Sequence, residues 1–122
     1  MNTEFNLSNA DYRLLSIIWD AEPIPSPKLC QLAETELGWK RTTTYTVLRR
    51  LCDKGFTQNE DTIVTSIVKR EEVQRLESHR ILKESFEGSL PKFIAAFLDG
   101  GEISKKEAEK IVNMIEKYRG RE

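Results

Sequence analysis

The sequence predicts a mostly α-helical protein carrying one small β-hairpin, and three observations support that expectation. Apolar residues recur at helical spacing through most of the 122 residues, Ser, Pro and Gly stand where helices would start and stop, and only the stretch 56–68 has the β-branched content of strands. At 39% hydrophobic residues the chain is long enough for one core plus a short appended element, so residues 1–69 are expected to form one domain and 70–122 an added helical region.

The first helix is signalled by Ser8 as N-cap with Asp11 three residues on, followed by Leu14, Leu15, Ile18 and Trp19, and "EPIPSP" ends it. The second opens with Ser26 as cap and Pro27 at the first helical position, buries Leu29, Leu32, Ala33 and Leu37, and stops at Gly38. The third runs over about 42–54 and ends at Gly55, with Thr44, Val47, Leu48 and Leu51 on its inner side. Next, a short strand from Phe56 and a β-branched run from Thr62 to Val68 flank a turn at Asn59, Glu60 and Asp61, which reads as a two-stranded hairpin. Three short helices and then a hairpin is the order of a winged helix-turn-helix, whose third helix enters the major groove.

The rest of the chain reads as helical. Residues 70–87 form a highly charged helix, and "SLPKFIAAFLDGG" forms a shorter one carrying Phe93, Ile94, Phe97 and Leu98. Ser104 caps a last helix, with Glu107 in the capping-box position and a stripe of Ile111, Met114, Ile115 and Tyr118. These apolar faces have no evident partner in a domain whose core is already accounted for. A second copy of the chain is the economical one, which makes those eight residues candidates for a dimer interface.

Composition removes several function classes. No apolar run approaches a membrane span, and the acidic start "MNTEFNLSNADY" is unlike a signal peptide, so a cytoplasmic protein is expected. Cys30 and Cys52 sit in helical patterns without CxxC or Cys/His clustering, and the single histidine, His79, lies on the charged helix far from either. Glu71 and Glu72 are adjacent on a helix and point different ways, and no nucleophile elbow or phosphate loop is present. Neither an enzyme nor a metal or cofactor site is expected.

The formal net charge of −1 offers no global attraction to a polyanion, so any such case rests on local clustering. "WKRTTTYTVLRRLCDKG" supplies it, with five basic residues against one acid. Lys40, Arg41, Arg49, Arg50 and Lys54 suit phosphate, with Arg41 also able to pair with guanine, while Thr42, Thr43 and Thr46 are short enough to reach base edges or a thymine methyl near the helix start. A charged helix alone is more commonly a solvated surface; two capped helices before it and a hairpin after it favour double-stranded DNA. The rival reading is a winged-helix protein-interaction module, which would accommodate Glu60 and Asp61 at the hairpin tip.

Three separated stretches also resemble one family. "LSNADYRLLSIIW" is similar to the opening helix of the penicillinase and methicillin-resistance repressors, and "TTTYTVLRRLCDKG" to their recognition helix, through Thr43, Tyr45, Thr46, Leu48, Arg50, Leu51, Lys54 and Gly55. "FEGSLPKFIAAFLDGGEISKKEAEKI" resembles their C-terminal part through Gly88, Ser89, Leu90 and Glu107. The resemblance implies a homodimeric repressor on a palindromic operator, dimerised through C-terminal helices and released by a sensor protease that cuts between Asn and Phe. Here the aligned pair is Ala96 and Phe97. The family's copper-responsive relatives carry a cysteine-rich end, whereas this one reads "EKYRGRE". Thr42 stands where the family tends to have Lys, and "NEDT" where its wing is usually basic.

Overall fold

The computed structural model describes residues 7–119. Residues 1–6 and 120–122, which hold part of the acidic start and of the cysteine-free end, lie outside the described residues. Two compact units, Met1–Ser78 and His79–Glu122, divide the chain. The elements in order are α1 (Asn9–Ala21), β1 (Ile24–Pro25), α2 (Ser26–Leu37), α3 (Arg41–Asp53), β2 (Thr57–Glu60), β3 (Ile63–Ser66), α4 (Arg70–Ser85), α5 (Leu90–Leu98) and α6 (Lys105–Tyr118).

In the first unit, α1 starts at the expected capping box: Ser8 Oγ accepts from the Asp11 amide, and the Asp11 carboxylate accepts from the Ser8 amide, both at 3.1 Å. Its stripe of Leu14, Leu15 and Ile18 is fully buried against Leu29, Ala33, Val47, Leu48, Leu51 and Val64 from the elements that follow. At the other end of α1, Trp19 Nε1 donates to the Val68 carbonyl at 3.0 Å, and Ser66 donates through its amide and hydroxyl to the Glu22 carboxylate. The exit of the hairpin is thereby tied to the first helix.

The sheet has three strands in the order β1-β3-β2, not the two expected. Strand β1 is only Ile24 and Pro25, paired with Val64 and Ile63 of β3. Two residues among prolines give no periodic signal, and proline, lacking an N–H, suits such an edge position. This strand also displaces the start of α2. Pro25 is the N-cap, while Ser26 is the first helical residue, its amide donating to the Thr62 carbonyl at 2.7 Å and its side chain buried. Ser26 therefore continues the strand pairing and does not cap the helix.

The hairpin turn is also shifted. Asn59 and Glu60 belong to β2, opposite Val64 and Ile63, leaving a two-residue loop of Asp61 and Thr62 at φ 52° and 66°. Positive φ at both positions is what a type I′ turn requires, and its twist matches that of the strands.

Helix α4 contributes Val73, 1% exposed, to the first core, and the first unit includes the start of that helix, to Ser78. His79 is exposed. In the second unit, Ser89 and Ser104 cap α5 and α6 by accepting from the amides of Lys92 and Glu107. Phe93 packs edge-on against Phe86 at 5.3 Å between ring centroids and lies stacked 6.3 Å from Phe97, yet no residue of α5 or α6 is buried.

Candidate nucleic-acid interface

Gly38, Trp39 and Lys40 separate α2 from α3. Gly38 makes this short turn at φ 72°, where a side chain is strained, although nothing lies within 4 Å of where a Cβ would stand. The turn brings α3 across α1 and α2 with Thr44, Val47, Leu48 and Leu51 facing inward, all buried. The Thr44 hydroxyl is satisfied internally by donating to the Lys40 carbonyl at 3.3 Å.

Helical spacing then places Thr42, Thr46, Arg49 and Asp53 along one outward stripe, all exposed, with Lys40, Arg41 and Thr43 exposed beside its start. Unlike α1, α5 and α6, α3 begins without a side-chain cap, so its first N–H groups remain open to an outside acceptor. The Arg41 guanidinium lies 5.7 Å from the Tyr45 ring centre, a cation–π contact that orients it beside that opening. Tyr45 is held in turn by its hydroxyl hydrogen bond to Ser26 Oγ at 3.3 Å. Thr46 donates its hydroxyl to the Thr42 carbonyl at 2.9 Å, and because the residue is exposed its oxygen can still accept from outside.

Two of the residues expected at phosphate are ion-paired within the protein. Arg50 and Lys54 point to Asp11, with Arg50 Nη2 and Lys54 Nζ each 2.8 Å from a carboxylate oxygen. The reason is tertiary: packing α1 on α3 buries the Asp11 carboxylate completely, and a buried anion demands cationic donors. Burial alone would raise the Asp11 pKa. Hydrogen bonds from Lys54, Arg50 and the Ser8 amide outweigh it, and the net shift is downward from 3.8.

A groove of about 520 Å³ runs between α3 and β2, lined by Tyr45, Arg49 and Cys52 on one side and Gln58, Asn59 and Glu60 on the other. Gln58 and Asn59 are exposed amides beside Arg49 that the sequence reading left out. Asn59 was expected in the hairpin turn and Gln58 in the strand before it, and only the strand register places both amides beside α3. Glu60 and Asp61 are exposed at the tip, as expected of an acidic wing. Among the described residues, no three His, Cys, Asp or Glu side chains gather as a metal site.

In the second unit, Phe97, Leu98, Met114, Ile115 and Tyr118 are exposed, from 41% at Leu98 to 62% at Phe97. Phe93, Ile94 and Ile111 are half-buried. Ala96 and Phe97 are exposed within α5, where the backbone is helical; cleavage between them would require that turn to unwind. No described helix is long and apolar enough to cross a membrane.

A helix-turn-helix of α2 and α3, buttressed by α1 and followed by the β2–β3 wing, defines a winged helix-turn-helix domain with a helical C-terminal part. The penicillinase repressor family matches residues 7–117, and the chain belongs to that family, which is one of repressors and not of enzymes. It is 21% identical to the methicillin resistance regulatory protein MecI of Mammaliicoccus sciuri, over 95% of this chain and 98% of that protein. It is likewise 21% identical to the penicillinase repressor of Bacillus licheniformis, over 94% of this chain and 93% of that one.

Proposed function

We propose that this protein represses transcription by binding a palindromic DNA operator as a homodimer, with α3 in the major groove of each half-site. The observation that carries the reading is the start of α3: an uncapped helix N-terminus flanked by Lys40 and Arg41, with the short side chains of Thr42, Thr43 and Thr46 exposed beside them. Lys40, Arg41 and Arg49 anchor phosphate, and the threonines read base edges. The exposed Phe97, Leu98, Met114, Ile115 and Tyr118, together with Phe93, Ile94 and Ile111, support a dimer formed through α5 and α6. The family relation supports a repressor role; a sensor protease as a further partner rests on the family resemblance alone, because Ala96 stands where the family's cut site has Asn.

Enrichment of bound sequences from a random duplex pool tests the reading. A palindrome with half-sites about 34–36 Å apart, or a multiple of that, is expected. The exposed Glu60 and Asp61 favour the rival, a winged-helix module that binds protein. Failure to bind random duplex even at low salt would decide for the rival, since nonspecific affinity is electrostatic.

A further inference from the structure

We propose that Asp11 is a positioning residue that withholds Arg50 and Lys54 from DNA and so confines phosphate anchoring to the N-terminal half of α3 and Arg49; the inference rests on the DNA-binding reading above. Asp11 occupies the third position of α1, and its two oxygens accept three hydrogen bonds and make one further ion-pair contact. Oδ1 takes Arg50 Nε at 2.9 Å and Nη2 at 2.8 Å, while Oδ2 takes Lys54 Nζ at 2.8 Å and the Ser8 amide at 3.1 Å. About four acceptor positions is the full capacity of a carboxylate.

Arg50 and Lys54 stand one helical turn apart, the spacing at which two cations on one helix face would clamp a phosphate. Their charge is offset by a carboxylate that is itself fully buried, and a phosphate approaching them meets that carboxylate's field as well. Asp53, exposed at the end of the outward stripe, adds a second repulsion at the same end of α3. At the other end Lys40 and Arg41 flank an uncapped N-terminus. The helix is therefore electrostatically polar toward DNA. Asp11 performs two tasks with one group: it closes the cap of α1 and fixes the direction in which α3 presents positive charge.

The test measures the salt dependence of binding of the full chain to a random-sequence duplex, with urea curves verifying that each variant is folded. Arg49→Gln and Lys40→Gln are each expected to flatten the log–log slope by about one. Arg50→Gln and Lys54→Gln are expected to flatten it by less than half as much. Asp11→Asn is expected to steepen it, because a neutral amide does not retain two cations and at least one turns outward. A slope that Arg50→Gln or Lys54→Gln flattens as much as Arg49→Gln does, or that Asp11→Asn leaves unchanged, overturns the inference. Should Asp11→Asn not fold, the Arg50 and Lys54 variants still decide the matter. Absence of any binding by the wild type would instead overturn the DNA-binding reading, and this inference with it.

Discussion

Replacing Asp11 by Ala should destabilise the first unit by about 3 kcal/mol at neutral pH, a figure built from the bonds that disappear. The capping interaction with the Ser8 amide contributes about 1 kcal/mol. The hydrogen bonds from Arg50 and Lys54 would add roughly 1.5–3 kcal/mol each if all partners were buried. Those side chains are 41% and 26% exposed, however, and turn to water when their acceptor is gone, so the two together are credited with about 2 kcal/mol. The same argument fixes the pH dependence. Because the carboxyl pKa is lower in the folded protein than 3.8, the unfolded chain takes up the proton first as pH falls. The stabilisation is complete above the unfolded value and is lost as pH drops below it and through the folded value. Urea unfolding followed by circular dichroism at about pH 7 and about pH 3, at one protein concentration, reads the difference between wild type and Asp11→Ala. Other carboxylates titrate in both proteins and cancel. A difference under about 1 kcal/mol at neutral pH, or one equally large at both pH values, would refute the account.

Three further outcomes follow from the same geometry. Thr46→Val keeps the methyl and removes the hydroxyl oxygen, so it should change the preference among half-sites by about fivefold in competition binding while leaving random-duplex affinity unaltered; an unaltered preference removes Thr46 from the readers. Phe97→Glu places a charge on the most exposed aromatic of α5, and sedimentation at micromolar concentration should shift from dimer to monomer, a persistent dimer locating the interface elsewhere. Thr62→Gly relieves a β-branched residue at φ 66°, with a net gain of roughly 0.5 kcal/mol after the added freedom of the unfolded chain, and a loss of stability in urea would show that the Thr62 side chain contributes more than strain.

An acidic wing beside a helix with a basic start suggests a division of roles within the first unit. Glu60 and Asp61 stand at the tip, and the amides of Gln58 and Asn59 line the groove nearer α3. On this geometry, neutral hydrogen bonding from the strand, not charge from the tip, is what the wing offers to a ligand held by α3.

What the sequence determined by itself is local. The caps at Ser8 and Ser104, the stops at Gly38 and Gly55, and the inward stripe of α3 are all local signals, and each expected element lies within a residue or two of its expected bounds. The exposed threonines were legible for the same reason, since helical periodicity assigns them a side without reference to any other element. Only the tertiary structure decided the rest. Strand β1 exists because Ile24 and Pro25 find β3 about forty residues further on, a pairing with no local signal. Asn59 and Glu60 became strand residues once the Asp61–Thr62 turn set the register. Val73 carried the first core into α4, where it is buried in the same apolar cluster as α1, α2 and α3. Arg50 and Lys54 looked no different in the sequence from Arg49. They were separated from it by Asp11, 39 and 43 residues away, because a carboxylate buried by helix packing draws in the nearest cations at a cost in free charge that no spacing rule on α3 could reveal.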